Sequence, residues 1–66
     1  MIIKINGKEE FVSLARTLEE LILARKLLPE RIVVEHNSAI IPRESLGKTI
    51  LKEHDIVEIV SFVGGG

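Results

Sequence analysis

Cysteine is absent from this 66-residue chain, tryptophan and tyrosine are absent too, and Phe11 and Phe62 are its only aromatic residues. Without a thiol the chain can form no disulfide, no thiolate metal site and no iron–sulfur cluster. It also has no cysteine nucleophile. A chain of this length can assemble only one hydrophobic core, so we expect a single domain stabilised by aliphatic packing.

The chain also lacks an excess of charge and a long apolar segment. Nine basic and ten acidic residues leave a net charge of -1, without the basic excess typical of a nucleic-acid binder. Residues 1–6 have neither the basic region nor the apolar stretch of a signal peptide, and no apolar run reaches the roughly 20 residues needed to span a bilayer. We therefore expect a cytoplasmic protein whose partners are proteins, with no nucleic-acid or membrane partner.

Two short segments near the start predict a β-hairpin. Residues 1–6 are rich in isoleucine, and the Asn6-Gly7 dipeptide favours a two-residue turn because both residues tolerate positive φ. Residues 8–13 are expected to form the returning strand. Alternation along the first strand directs Ile3 and Ile5 to the core.

A helix is predicted after the hairpin. Thr17 and Glu20 have the spacing of a capping box, in which their side chains satisfy the first free N–H groups of a helix. Pro29 is expected to end this helix. The apolar residues at helical spacing are Leu18, Leu21, Ile22 and Leu28.

The second half of the chain predicts further strands. Residues 31–35 contain a β-branched run, residues 37–38 are typical of a turn, and residues 39–41 form a short apolar stretch. Residues 43–52 lack periodicity and are expected to form a connection with at most a short turn of helix. Residues 56–63 are predicted to be the last strand, and their apolar character suits a central position.

These elements predict an α+β fold. Residues 1–63 are expected to form a mixed sheet of four to five strands in ββαββ order, covered by one helix. Gly64, Gly65 and Gly66 form a flexible C-terminal tail in this interpretation. A tail without Cβ atoms can enter a narrow channel and place a carboxylate inside a partner enzyme. The alternatives are a disordered tail and an expression scar.

The last strand also predicts a surface for protein docking. Glu58 is expected to face solvent, and alternation then divides its neighbours between two faces. Ile56, Val60 and Phe62 are predicted beside Glu58, with Val57, Ile59 and Ser61 toward the helix. An exposed apolar stripe next to the tail favours docking of a partner. The alternative is an ordinary surface shared with the core.

Three further residues have two interpretations each. Arg43 either contacts a partner or hydrogen-bonds carbonyl groups of its own loop, and the second role is favoured. His36 and His54 lie far apart in sequence without clustered cysteines or carboxylates, so no metal site is expected. Both histidines are interpreted as solvated loop residues.

Two motifs resemble a known family. Residues 57–66, Val-Glu-Ile-Val-Ser-Phe-Val-Gly-Gly-Gly, are similar to the C-terminus of the ThiS family of thiamine-biosynthesis sulfur carriers. Residues 40–43, Ile-Ile-Pro-Arg, resemble that family's Ile/Val-Val-Pro-Arg motif. Two loops depart from the family pattern, since Asn-Ser at 37–38 replaces Asn-Gly or Asn-Asp, and Glu-His-Asp at 53–55 replaces Asp/Glu-Gly-Asp.

The resemblance implies a ubiquitin-like β-grasp fold and a carrier that is a cosubstrate of enzymes and not an enzyme. A ThiF-type adenylyltransferase, using ATP and Mg²⁺, would adenylate the Gly66 carboxylate. A sulfur donor such as a cysteine desulfurase system would convert it to a thiocarboxylate, from which a ThiG-type thiazole synthase would take sulfur. The carrier itself would bind no cofactor and would be a monomer when free.

Alternative functions share the glycine ending. A molybdopterin synthase small subunit-like sulfur carrier has the same fold and a similar tail. A ubiquitin-like protein modifier would join Gly66 to another protein, and a tRNA-thiolation carrier would deliver its sulfur to a nucleotide. A plain β-grasp interaction module with an inert tail is the remaining alternative.

Overall fold

The N-terminal hairpin forms where the sequence predicts it, in a computed structural model that describes residues 1–62. Strands β1 (Ile2–Ile5) and β2 (Lys8–Phe11) pair antiparallel on either side of Asn6-Gly7. Asn6 and Gly7 have φ angles of 51° and 82°, as a type I′ turn requires. The predicted hairpin is confirmed.

The two hairpin strands contribute one apolar side to the core. Ile3 and Ile5 are buried as predicted, and Val12 is buried just after β2. Phe11, its neighbour, is 76% exposed. Successive residues point to opposite sides of an extended chain, which is why burial of Val12 excludes Phe11 from the core.

Helix α1 (Leu18–Ala24) begins at the predicted capping box. The Glu20 N–H donates to the Thr17 hydroxyl at 3.1 Å, and the Thr17 N–H donates to the Glu20 carboxylate at 3.3 Å. Leu18, Leu21 and Ile22 are buried against the sheet. The capping residues therefore set the start of the helix, and its apolar spacing sets the face that it buries.

The helix ends at Ala24, well before Pro29, so its predicted end is wrong. Lys26 has a left-handed φ of 62°. Its N–H donates to the Leu23 carbonyl at 2.9 Å, and the Leu27 N–H donates to the Ile22 carbonyl at 3.1 Å. This pair of bonds is a Schellman motif, which ends a helix. Leu28, expected on the buried face, consequently lies beyond the helix and is half-exposed.

The remaining elements complete the sheet. Pro29 opens a 3₁₀ helix (Pro29–Arg31), a position that suits its fixed φ, and a second 3₁₀ helix lies before the last strand. Strands β3 (Ile32–His36) and β4 (Ala39–Ile41) form a hairpin, and β5 (Ile56–Ser61) follows. The order ββαβββ of the described residues contains one strand more than the predicted ββαββ.

Within residues 1–62 the sheet has five strands in the order β2-β1-β5-β3-β4. Strand β5 is central, as predicted, and it is parallel to β1 and antiparallel to β3. Helix α1 covers one face, and the core lies between this helix and the sheet. The largest fully buried side chains are Ile3, Ile5, Leu18, Ile22, Val34 and Val57. None of the helices in this part of the chain has the length and apolarity required to cross a membrane.

The lysine in the Schellman motif predicts a stabilising substitution. We expect Lys26→Gly to raise the free energy of unfolding by about 0.5–1 kcal/mol, because glycine has no Cβ to oppose a left-handed conformation. Urea denaturation at neutral pH measures the change. Lys26→Ala is the matched control, since it removes the charged side chain but keeps the Cβ. Equal stability of the glycine and alanine variants would contradict the explanation.

Candidate functional site

Strand β5 presents alternate residues to opposite faces of the sheet, as predicted. Val57 is fully buried and Ile59 is half-buried on the helix side. Ile56 and Val60 are 47% and 61% exposed on the other side, and Phe62, directly after the strand, is 52% exposed. We call the sheet face opposite α1 the outer face. The predicted phase of the last strand is confirmed for these residues.

On the side of β5 that pairs with β3, the register of the sheet adds two apolar residues that sequence analysis missed. Val33 of β3 lies opposite Val60, and Ile40 of β4 lies opposite Glu35, which itself pairs with Glu58. Directly opposite residues share a face of a sheet. Val33 and Ile40 are both exposed. The turn at residues 37–38, which sets the register of β3 and β4, was the available signal.

We define the outer apolar patch by its five exposed members. They are Val33, Ile40, Ile56, Val60 and Phe62. Several exposed apolar side chains on one face of a sheet often mark a protein-binding site. The patch extends along β5 toward residue 62, the last residue that the structure describes.

The start of β5 is fixed by a buried carboxylate. Asp55 is only 6% exposed. One of its oxygens accepts hydrogen bonds from His36 Nε2 at 2.7 Å and from the Lys52 N–H at 2.8 Å. The other accepts from Asn37 Nδ2 at 3.1 Å. The carboxylate therefore joins the β3–β4 turn to the loop that precedes β5.

Asn37 continues this network into the first residue of β5. Its side-chain oxygen accepts the Ile56 N–H at 2.9 Å, and its own N–H donates to the Ile56 carbonyl at 2.8 Å. The Asp55 carbonyl accepts the Lys4 N–H at 3.0 Å, which attaches β1 to the same point. These bonds set where β5 starts, and hence which of its residues reach the outer face.

The surroundings of Asp55 keep it ionised. Burial raises the pKa of Asp55, but the hydrogen bonds donated by His36, Asn37 and the Lys52 N–H together outweigh burial and hold this pKa below the ordinary 3.8. An ionised carboxylate can only accept hydrogen bonds, so His36 Nε2 carries the shared hydrogen. The network is consequently built around a negative charge.

This network corrects the interpretation of one histidine. His36 lies at the end of β3 and is largely buried against Asp55, so its predicted role as a solvated loop residue is wrong. His54 is exposed, as predicted, and has a left-handed φ of 70°. It occupies the position where glycine is common in the resembling family. The aspartate retained from that family's Asp/Glu-Gly-Asp pattern was the only sequence signal for the buried carboxylate.

Arg43 is exposed at the start of the 3₁₀ helix Arg43–Lys48. Within residues 1–62 its side chain makes neither an ion pair nor the favoured hydrogen bond to a loop carbonyl. Its contact with a partner stays a prediction. Among the same residues there is also no group of three or more histidine, aspartate or glutamate side chains that could hold a metal ion.

An open cleft of about 490 Å³ lies beside the end of β5. It is lined by Asn6, Arg25, Leu27, Ile59 and Ser61. The Asn6 side-chain oxygen accepts the Ile59 N–H at 2.7 Å, because β1 has already turned away at this point. Ser61 lies on the helix side of the sheet, as predicted, but it is exposed to the cleft and does not join the core.

The predicted tail lies outside the described residues. This applies to Gly64, Gly65 and Gly66, and to Val63, the last residue of the predicted strand. Strand β5 itself ends at Ser61. The described residues therefore include the outer apolar patch but none of the tail glycines.

A mixed sheet covered on one face by a helix that follows the first hairpin defines the ubiquitin-like β-grasp class. The ThiS family model matches residues 2–66. The chain belongs to the ThiS family.

Two relatives agree in length and fold. The sulfur carrier protein ThiS of Bacillus subtilis is 34% identical over 65 residues, which cover 97% of this chain and 98% of the relative. The crystal structure of the thiamine biosynthesis protein ThiS from Geobacter metallireducens superimposes with a TM-score of 0.83 at 36% identity, and each chain is covered completely. The predicted β-grasp fold is confirmed.

Longer proteins contain a similar region. The thiazole synthase of Magnetococcus marinus is 38% identical over 66 residues, and that of Paramagnetospirillum magneticum is 36% identical over 62 residues. The chain spans only 20% and 19% of the length of these two proteins.

The Asp55 network predicts a pH-dependent contribution to stability. We expect Asp55→Asn to lower the free energy of unfolding by about 2 kcal/mol at neutral pH, because the amide loses charge-assisted hydrogen bonds. A lowered pKa in the folded state stabilises the fold above the ordinary pKa and ceases to do so as the pH falls through the folded value. The difference between wild type and variant should therefore shrink in acid.

Urea denaturation of wild type and Asp55→Asn, from neutral pH into acid, tests whether the stability difference shrinks. Glu30→Gln, which removes an exposed carboxylate outside the network, is the control and should show no comparable pH-dependent difference. A difference between wild type and Asp55→Asn that stays constant from neutral pH into acid would contradict the assigned role of the charge.

Proposed function

We propose that this chain is a sulfur carrier of thiamine biosynthesis and that the Gly66 carboxyl group carries the sulfur. The observation that supports this most directly is the ThiS family match, which extends from residue 2 through all three glycines to residue 66. A relative of nearly the same length is named as a sulfur carrier. The chain acts in this proposal as a protein cosubstrate of other enzymes.

The chemistry requires activation, because a carboxylate is a poor electrophile. A ThiF-type adenylyltransferase supplies ATP and Mg²⁺, and the Gly66 carboxylate attacks the α-phosphate with release of pyrophosphate. A sulfur donor such as a cysteine desulfurase system then provides a persulfide, whose terminal sulfur attacks the acyl carbon and displaces AMP to give an acyl disulfide. A thiol reduces the S–S bond of this acyl disulfide, which leaves a thiocarboxylate on Gly66 and a disulfide on the donor side.

This chain contributes the acyl group and a docking surface to the proposed cycle. Three glycines reach at most about 10 Å when extended, so the folded domain must dock close to the reacting centre. The outer apolar patch includes Phe62, which precedes Gly64 by two positions in the sequence, and it is available for such docking. Arg43 is proposed as an additional contact with the partner, because its exposed cation has no ion-pair partner within residues 1–62.

The proposed acceptor of the sulfur is a thiazole synthase. Proteins named thiazole synthase in two organisms include a region similar to this chain. Fusion of two domains in one polypeptide is expected when they act in the same reaction sequence. This supports a ThiG-type thiazole synthase as a partner of the separate chain.

Intact-mass measurement tests the carrier function. Incubation with the adenylyltransferase, ATP, Mg²⁺ and the sulfur donor should raise the mass of the chain by about 16 Da, because sulfur replaces oxygen at the activated carboxyl group. Deletion of Gly66 should abolish the increase. Loss of sulfur from the carrier when thiazole synthase forms product would identify the acceptor.

Other mass changes distinguish the alternatives. Covalent conjugates of higher mass would favour a protein modifier over a sulfur carrier. An unchanged mass of the wild-type chain under conditions that convert a known ThiS carrier would contradict the proposal.

The docking surface is tested by a matched pair of substitutions. We expect Val60→Glu to weaken binding to the adenylyltransferase by about tenfold or more, because it places a charge in the outer apolar patch. Leu23→Glu is the control, since Leu23 is similarly exposed, at 55%, but lies on the helix. Titration calorimetry measures both affinities. Equal effects of the two substitutions would argue against docking through the outer face.

A further inference from the structure

Two glutamates face each other at the centre of the outer face. Glu35 of β3 and Glu58 of β5 are direct partners in the antiparallel register, and both are exposed. Directly opposite residues have Cβ atoms about 4.5–5.5 Å apart, and two like charges in this arrangement repel each other. The pair of glutamates therefore does not stabilise the folded domain.

Within the described residues, neither carboxylate forms an ion pair with a lysine, arginine or histidine side chain. The side-chain ion pairs within residues 1–62 are Arg25–Glu10, His36–Asp55 and His54–Glu53. Lys4 of β1 is a cation on the outer face. In the register it pairs with Glu9 of β2 and with Ile56 of β5, so it is a diagonal neighbour of Glu58 and not its direct partner. In the free chain, the two carboxylates are consequently stabilised by solvation.

Apolar side chains surround the pair. Val33 and Val60 form the next pair on this face, Ile40 lies opposite Glu35 on β4, and Ile56 lies two residues before Glu58 on β5. A protein that covers these side chains also removes water from the carboxylates between them. A carboxylate buried without a partner is strongly unfavourable. Any surface that docks here must therefore supply hydrogen-bond donors at this point.

We propose that an enzyme that docks on the outer apolar patch places an arginine side chain over Glu35 and Glu58. This inference rests on the proposed function, because it specifies the partner surface of the same carrier. A guanidinium group can bond both carboxylates through its several N–H donors, and its flat faces pack against neighbouring valine and isoleucine. An apolar surface without a cation would leave two buried charges, so the pair also discriminates against wrong partners.

Charge removal tests the contact. We expect Glu35→Gln and Glu58→Gln each to raise the dissociation constant for the ThiF-type adenylyltransferase or for thiazole synthase by about tenfold, and Glu58→Lys to raise it further. The effect should diminish at high salt, because screening weakens the electrostatic attraction between the two proteins as they associate. Glu19→Gln on helix α1 is the control and should leave the dissociation constant unchanged.

Stability of the free chain provides a second readout. Glu35→Gln and Glu58→Gln should unfold at the same or a higher urea concentration than the wild type, since they relieve repulsion. Weaker binding by a domain that is at least as stable cannot result from unfolding. This combination distinguishes a contact with the partner from a structural role of the glutamates.

The carrier function and the cationic contact have separate tests. The mass increase of the wild-type chain reports sulfur loading, whereas the ratio of dissociation constants reports the contact. Glutamine variants that bind both enzymes as tightly as the wild type at low salt would overturn the proposed contact, even if sulfur loading is normal. The proposed contact would also be overturned if the wild-type chain bound neither the adenylyltransferase nor thiazole synthase.

Discussion

The carboxylate of Asp55 determines where the central strand begins, and the two faces of the sheet follow from that position. Its hydrogen bonds with His36 and Asn37 hold the loop before β5 against the β3–β4 turn. Alternation along a strand has a period of two, so a shift of one residue would exchange the faces. Val57 would then leave the core, and Glu58 would enter it. A single buried charge thus separates the residues that stabilise the fold from those left free on the outer face.

The β3–β4 turn and the loop before β5 contain residues other than glycine in left-handed conformations. Asn37, Ser38 and His54 have φ angles of 52°, 76° and 70°, in a region that glycine occupies without strain. Both loops are the ones in which the sequence departs from the ThiS pattern. Asn37 tolerates this conformation well and also bonds Asp55 and Ile56. The hydrogen bonds around Asp55 offset the strain of its neighbours, so these loops keep the positions that the fold requires.

Local sequence patterns predicted the helix and the strands. They did not predict the contacts between residues that are distant in sequence. The hairpin, the capping box at Thr17 and the phase of β5 each depend on residues close together in sequence. The early helix end depends on Lys26 adopting a left-handed conformation typical of glycine, and a lysine in the sequence does not indicate such a conformation. The Asp55 bonds join residues 18 and 19 positions apart, so the sequence showed only a loop that departs from the ThiS pattern. Val33 and Ile40 were missed because their exposure follows from the register between β3 and its two neighbours.

The outer face combines two features that suit a carrier acting with several enzymes. Its apolar side chains contribute little to the core, so they are free to serve the docking that we propose. Burial of these side chains would supply affinity, whereas the opposed Glu35 and Glu58 would supply orientation and selectivity, since charges influence association rate and partner choice more than total affinity. A carrier must also dissociate after each step. An interface with a charge pair at its centre retains a desolvation cost that limits its lifetime, and reversible transfer between enzymes requires such a limit.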